Sequence, residues 1–282
     1  MTTEFDLARE DFGRALYALR PYANDLLVIG GMAPVLYRLV PGFAPAVVDP
    51  IATREVDWTT PPRLPRRGET AWKLLGAEGL RAYEVPGVGT RRGPRVFQHE
   101  RYGTARKAPV YQEFLCPLRG NATKVVEVQT GLSAQPLRYL DLLAFDPITL
   151  TVDASSGIPV AAPCPVRLAQ PVLYIAQKVL ARAERAAMPG KPAKDLAYAF
   201  DVASLCRPLW NDQADVRKRA AAEAPAWSKW LARTGRSLRE LFGAKTSEGT
   251  VEAARIFRAF GGRAPDEPEI HLVMSRFIEA VF

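Results

Sequence analysis

Histidine and cysteine are scarce in this chain of 282 residues. Its two histidines, His99 and His271, provide little material for a Ser-His-Asp triad or for a metal site built from several histidines. Its three cysteines are widely spaced and form no C-x-x-C pair, which argues against a disulfide framework and a zinc knuckle. We therefore interpret Cys116, Cys164 and Cys206 as reduced thiols.

Long apolar runs are also missing. The chain begins Met-Thr-Thr-Glu-Phe-Asp, with acidic residues and no apolar segment behind a basic start, so no signal peptide is predicted. No uninterrupted apolar run approaches the length of a membrane span. We expect a cytoplasmic protein with no membrane partner, and the sequence leaves its oligomeric state open.

Basic side chains outnumber acidic ones. The chain has 38 lysines and arginines against 30 aspartates and glutamates, a formal net charge of +8. This excess favours anionic partners such as nucleotides or RNA, although charge alone selects none of them. With 48% hydrophobic residues, the chain can bury a core in one large or two ordinary domains.

The most informative stretch begins at Leu26. Residues Leu26–Ile29 form a short apolar run typical of a strand, and Met32–Leu39 favours a helix after the interruption at Gly30-Gly31. Glycines in such a turn let a phosphate approach backbone N–H groups at the start of the helix, where the helix dipole also favours an anion. The pattern predicts a strand, a phosphate-binding glycine turn and a helix.

A second strand is predicted at Glu55–Thr60. Because side chains alternate along a strand, Glu55 and Asp57 point to one face while Val56 and Trp58 point to the other. Paired carboxylates are typical ligands of Mg²⁺, which also binds substrate phosphates. Together with the glycine turn, they indicate metal-assisted phosphoryl-group chemistry.

These motifs resemble those of bacterial nucleotidyltransferase-fold proteins of the abortive-infection (AbiEii) type and of related uncharacterised nucleotidyltransferases. Those proteins carry an apolar residue and two small residues before a helix, then Thr-x-Asp-x-Asp on the next strand. Here Ile29-Gly30-Gly31 matches the first motif. The segment Thr53-Arg54-Glu55-Val56-Asp57 matches the second, with glutamate replacing the first aspartate.

The resemblance implies an α+β fold, with a mixed β-sheet flanked by helices and a C-terminal helical domain. It implies Mg²⁺-dependent transfer of a nucleoside monophosphate from an NTP, ATP among them, to an acceptor hydroxyl on RNA, protein or a small molecule. It also suggests a toxin–antitoxin or phage-defence role. Because Glu55 lengthens the carboxylate arm, the alternative is a non-catalytic nucleotide- or RNA-binding protein that retains the fold.

The resemblance further implies a third carboxylate on a later strand, in the context acid, apolar, Leu and a proline-containing turn. Glu113 in Glu113-Phe114-Leu115-Cys116-Pro117 fits that context, and Glu127 in Val-Val-Glu-Val is the alternative. We favour Glu113 as the third catalytic and metal-binding acid beside Glu55 and Asp57. Either glutamate could instead be a solvent-facing residue on a half-buried strand.

Two helical segments in the C-terminal part complete the resemblance. Lys178 and Arg182 lie one helical turn apart and match a basic helix that reaches the nucleotide phosphates. Lys194 and Asp195 match a basic-Asp motif at the start of the next helix. The plainer alternatives are a surface lysine at position 178 and, at position 195, a first-turn acid that complements the helix dipole.

Other segments set the predicted organisation. We expect a helix over residues 4–20, a helix over Glu69–Leu80, and four strands between residues 81 and 129. We also expect a strand in Gly157–Pro165, and we place a domain boundary at the proline-rich end of this segment. The predicted domains are therefore residues 1–165 and 166–282. The basic hairpin Arg91–Lys107 could bind an RNA acceptor through phosphate contacts and stacking, or it could simply be solvated.

Overall fold

The computed structural model describes residues 4–51, 53, 55–84, 95–102, 110–118, 120, 124–182, 185, 190–260 and 262–282. The chain forms two compact units. The first contains residues 1–33, 52–140 and 148–168, and the second contains residues 34–51, 141–147 and 169–282. Each unit therefore combines segments that are distant in the sequence. The assignment of residues 1–165 and 166–282 as domains stays a prediction.

A mixed sheet forms the first unit. Its strands within the described residues are β1 (Leu27–Ile29), β2 (Glu55–Thr59), β3 (Leu80–Glu84), β4 (Arg95–His99), β5 (Tyr111–Pro117), β6 (Val126–Gln129), β7 (Leu132–Leu137), β8 (Ile148–Val152) and β9 (Cys164–Leu168). The main order is β3-β4-β5-β2-β1-β9-β8, and β7 pairs with both β5 and β6. At the centre, β2 is antiparallel to β1 and parallel to β5.

Helices cover one face of this sheet. The predicted N-terminal helix is confirmed as α1 (Glu4–Leu19), and the predicted crossover helix as the shorter α3 (Ala71–Ala77). Phe12 of α1 stacks on Trp58 of β2, with ring centroids 5.9 Å apart. Trp72 of α3 meets Phe97 of β4 edge to face at 5.5 Å. Because side chains alternate along β2, its two acidic residues lie on the sheet face opposite α1.

The second unit is helical. Its long helices are α5 (Pro171–Arg182), α6 (Lys191–Leu205), α7 (Trp210–Glu223), α8 (Pro225–Phe242), α9 (Glu248–Phe260) and α10 (Glu267–Val281). Two short helices, α2 (Met32–Tyr37) and α4 (Leu140–Leu143), begin in the first unit and end in the second. Arg38, just after α2, binds both carboxylate oxygens of Asp201 on α6 at 3.0 and 3.1 Å. Across the described residues, no helix combines the length and apolarity that crossing a membrane requires.

The predicted α+β class is confirmed, since a mixed sheet flanked by helices precedes a run of helices. The strand predicted in Gly157–Pro165 is wrong, because the strand is β9 and begins at Cys164. Residues 157–163 include Pro159 and Pro163, which have no N–H to donate to a ladder. Residues 91–94 and 103–107 of the predicted basic hairpin lie outside the described residues.

Candidate active site

Three carboxylates converge at the centre of the sheet. Glu55 and Asp57 occupy alternate positions of β2 and therefore share a face. In the parallel pairing of β2 with β5, Asp57 lies opposite Glu113. One carboxylate oxygen of each residue lies within 4.8 Å of the other two, and all three residues are half-buried. The fold thus brings together the three acids that the sequence nominated as metal ligands.

Glu127, the alternative third acid, lies elsewhere. It is an exposed residue of β6, and its Oε1 accepts a hydrogen bond from the backbone N–H of Gly131 at 3.4 Å. Among the described residues, the acidic group contains Glu113 and not Glu127. The role of Glu113 as a metal ligand stays a prediction, but its position beside Asp57 is a property of the strand register.

Gly30 packs directly against Asp57. Its φ of +64° lies in the left-handed region, which glycine adopts without steric cost. A Cβ added at Gly30 would lie 1.9 Å from Oδ2 of Asp57 and 2.7 Å from its Cγ. The antiparallel pairing of β1 with β2 causes this approach, because Ile29 lies opposite Asp57. Both the backbone conformation and the contact therefore require glycine at this position.

The glycine turn consequently has a role that the sequence did not predict. Gly30 and Gly31 are both buried, and α2 begins at the next residue but has only six residues. Position 30 needs a residue without a side chain because the Asp57 carboxylate lies against its backbone. Phosphate binding by the turn stays a prediction.

Tyr111 adds a hydrogen-bond donor to the acidic group. It lies opposite Glu55 in the β2–β5 register, and its phenol donates to Oε1 of Glu55 at 2.8 Å. Burial, reinforced by Glu55, Glu113 and Asp57, raises the pKa of Tyr111 well above its ordinary value, so the phenol stays protonated near neutral pH. Sequence reasoning missed this residue, although its spacing of two from Glu113 places both side chains on one face of β5.

Two hydrogen bonds outside the acidic group support β2, one at its start and one across to β5. The backbone N–H of Glu55 donates to Oγ1 of Thr53 at 3.2 Å, at the beginning of the strand. On the opposite face, Nε1 of Trp58 donates to Oε1 of Gln112 at 2.9 Å, and both residues are buried. A slip of one residue would turn the two acids of β2 to the other face. The buried Trp58–Gln112 bond therefore helps to keep Asp57 beside Glu113.

Lys178 and Asp195 form a buried ion pair in the second unit. Nζ of Lys178 lies 3.1 Å from Oδ1 of Asp195, and the two side chains are 5% and 4% exposed. Arg185 lies 3.2 Å from Oδ2 of the same carboxylate. Nζ of Lys178 also lies 5.4 Å from the ring centroid of Tyr174 and 5.3 Å from that of Tyr198. The interpretation of Lys178 as a surface residue is wrong, because its side chain is buried. The interpretation of Asp195 as a first-turn acid is also wrong, because it is the fifth residue of α6.

The other two nucleotide-binding residues predicted in this unit, Arg182 and Lys194, also have partners. Arg182 forms an ion pair with Glu248. Nζ of Lys194 lies 4.7 Å from the ring centroid of Phe260, a distance typical of a cation–π contact. The predicted basic face of α5 is therefore part of a packed helix, whose residues from Pro171 to Ala181 are all buried. Nucleotide binding by these residues stays a prediction.

The acidic group has the chemistry of a site for a divalent metal. It offers only carboxylate oxygens, the donors that hard cations such as Mg²⁺ and Mn²⁺ prefer. The three oxygens lie within 4.8 Å of one another, close enough for one or two ions. Glu55, Asp57 and Glu113 thus fit the metal that phosphoryl-transfer enzymes use.

Comparison with known proteins agrees with this geometry. A family model described as Nucleotidyltransferase matches residues 10–223, which is more than half of the chain. The match spans the glycine turn, β2, β5 and the helices α5 and α6. No curated protein shows a sequence match to the chain. The chain belongs to this nucleotidyltransferase family.

Proposed function

We propose that this protein transfers a nucleoside monophosphate from an NTP to an acceptor hydroxyl, with Mg²⁺ held by Glu55, Asp57 and Glu113. The observation that carries the proposal is the convergence of three carboxylates on one sheet face in a chain of the nucleotidyltransferase family. The family implies an NTP substrate. The acceptor hydroxyl belongs to RNA, to a protein side chain or to a small molecule, and the labelling experiment below distinguishes the first two. Membership of the AbiEii type and a toxin–antitoxin role are part of the same proposal.

The reaction needs few protein groups. The acceptor hydroxyl attacks the α-phosphorus and forms the new P–O bond, while the bond to the β-phosphate oxygen breaks and pyrophosphate leaves; the hydroxyl proton passes to solvent. A bound divalent cation supplies Lewis-acid stabilisation of the charge on the phosphates. The three carboxylates would hold that cation, and Gly30 allows Asp57 to lie directly against the backbone of the turn.

The residues of the second unit enter the proposal as nucleotide ligands. Lys178, Arg182, Lys194 and Asp195 are the candidate nucleotide ligands of this unit. The Gly30-Gly31 turn is a separate candidate, in the first unit. Lys178 is ion-paired with Asp195, and Arg182 with Glu248, so phosphate contact requires exchange of these partners. Such an exchange makes NTP binding sensitive to the strength of both ion pairs.

Transfer can be tested with labelled nucleotides. The protein is incubated with each α-³²P-labelled NTP, Mg²⁺ and either total cellular RNA or protein lysate, and the labelled fraction is identified. We expect label in one acceptor fraction, and roughly a hundredfold less label with Asp57→Asn or Glu113→Gln, because a bound cation contributes several kcal/mol of charge stabilisation. Glu127→Gln is the matched control, because it removes a carboxylate that lies outside the acidic group.

The outcomes separate transfer from binding alone. Label that Asp57→Asn leaves unchanged would refute the proposed site. Calorimetric NTP binding without label in either fraction would favour the alternative, a nucleotide-binding protein that retains the fold. The glutamate at position 55, in place of the aspartate of similar proteins, is the feature that supports this alternative.

A further inference from the structure

Glu55 stands where the similar nucleotidyltransferases have aspartate, whose side chain is shorter by one CH₂ group. A glutamate side chain has one more rotatable bond, so holding its carboxylate in one place costs more conformational entropy. It also reaches about 1.5 Å further, the length of one carbon–carbon bond. A site that uses glutamate here therefore needs something to fix the longer arm.

Tyr111 is placed to do this. It is the direct neighbour of Glu55 in the parallel β2–β5 register, and its phenol donates to Oε1 at 2.8 Å. The strand that holds Tyr111 also carries Glu113 two residues later, on the same face. Both partners of the bond are half-buried, so the phenol competes with less water for the carboxylate than it would at an exposed position.

The hydrogen bond is of a strong type. Bonds to a charged acceptor contribute more than bonds between neutral groups. Groups that orient a metal ligand in this way change metal affinity by roughly 10- to 100-fold when they are removed. A phenol that holds one oxygen of Glu55 thus restricts where the other oxygen of that carboxylate can lie.

We propose that Tyr111 is a positioning residue, which fixes the Glu55 carboxylate beside Asp57 and Glu113 and thereby sets the affinity of the group for a divalent cation. This inference rests on the proposed function, which identifies the ligand of the three carboxylates as a divalent cation. It goes further, because it explains how a glutamate can serve at position 55: a hydrogen bond from Tyr111 on the neighbouring strand holds the longer side chain in place.

The test measures Mn²⁺ binding directly, by the electron paramagnetic resonance signal of free Mn²⁺, and needs no activity. Tyr111→Phe removes the phenol oxygen and keeps the ring. We expect it to weaken Mn²⁺ binding about tenfold. Tyr17→Phe is the control, because it removes the same group from α1, which covers the opposite sheet face.

A double-mutant cycle with Glu55→Asp shows whether the effect acts through Glu55. An aspartate carboxylate is drawn back from the Tyr111 phenol, beyond hydrogen-bond distance. In the Glu55→Asp background, Tyr111→Phe should therefore change Mn²⁺ affinity less than twofold. Calorimetric melting without metal verifies that each variant is folded, and Glu55→Ala, which also removes the acceptor of the Tyr111 bond, replaces Glu55→Asp if the latter does not fold.

The outcomes are distinguishable from those of the proposed function. If Asp57→Asn loses Mn²⁺ binding but Tyr111→Phe retains it, the positioning role is overturned and the metal site stands. An equal loss from Tyr111→Phe in both backgrounds also overturns it, because the effect would then not pass through Glu55. Unchanged Mn²⁺ binding by Asp57→Asn would overturn the metal site and, with it, the role of Tyr111.

Discussion

Gly30→Ala would place a methyl group on the Asp57 carboxylate. The alanine has to keep a φ of +64°, which costs about 1–2 kcal/mol for a residue with a Cβ. Its Cβ would also lie 1.9 Å from Oδ2 of Asp57, so the carboxylate or the turn must move, at a further cost of about 1–3 kcal/mol. We expect a loss of about 2–5 kcal/mol in the free energy of unfolding.

Gly68→Ala separates the two contributions. Gly68 has a φ of +77°, but nothing lies within 4 Å of an added Cβ, so only the backbone cost of about 1–2 kcal/mol applies. Calorimetric melting of both variants measures the difference. Gly30→Ala should also lower Mn²⁺ affinity, because the displaced carboxylate is one of the three acids, whereas Gly68→Ala should leave it unchanged.

Repeating Gly30→Ala in an Asp57→Ala background completes the cycle. Asp57→Ala removes the two closest atoms and leaves the Cβ of residue 57 at 3.1 Å from the added methyl group, so most of the steric cost should disappear and the total should approach that of Gly68→Ala. If Gly30→Ala costs no more than Gly68→Ala in the native background, then Gly30 does not pack on Asp57 as described. Equal costs of Gly30→Ala in both backgrounds would refute the same contact.

Three further changes test the charges. Asp57→Asn should raise the metal-free melting temperature, because it relieves repulsion from the other two acids; a fall would show that the carboxylate is net stabilising. Mg²⁺ at a hundred times its Kd should stabilise the native protein by about 2.7 kcal/mol, and Asp57→Asn much less, when melting is followed by calorimetry. Lys178→Ala should cost about 1.5–3 kcal/mol, because the buried Asp195 carboxylate loses its lysine but keeps Arg185. Lys218→Ala should cost less than about 1 kcal/mol, because its ion pair with Asp215 is exposed. Similar melting temperatures for these two variants would contradict the burial of Lys178.

Local sequence signals account for the centre of the fold. An apolar run, two glycines and an alternating acidic strand predict β1, the turn and β2 to within about one residue. The common face of Glu55 and Asp57 follows from strand periodicity alone. These features could be predicted because each depends on residues that are close neighbours in the chain.

Contacts between distant segments could not be read in the same way. Gly30 touches Asp57 only because β1 and β2 pair with Ile29 opposite Asp57, and sequence spacing does not specify that register. The bond from Tyr111 to Glu55 likewise depends on the pairing of β2 with β5. The identification of Glu113 came from a resemblance, which supplied the pairing that local patterns lack.

Lys178 shows why charge patterns mislead in a packed helix. Basic residues at spacings of four residues suggest an exposed face, which is the common arrangement for lysine. The fold instead buries Lys178 beside Asp195, so the cost of removing its charge from water is offset by an ion pair and two aromatic rings. Asp195, the partner that allows Lys178 to be buried, lies 17 positions later in the chain and on another helix, so the local charge pattern gives no sign of it.

Two unfavourable features of the fold meet at Asp57. Gly30 adopts a positive φ to clear its Oδ2, and two other carboxylates place an oxygen within 4.8 Å. Glycine loses more backbone entropy on folding than other residues, and like charges at this distance repel. Such costs persist where the surrounding structure imposes them, and they concentrate at sites with a function. A divalent cation would cancel the repulsion among the three carboxylates, so the proposed metal site gives this costly arrangement a physical reason.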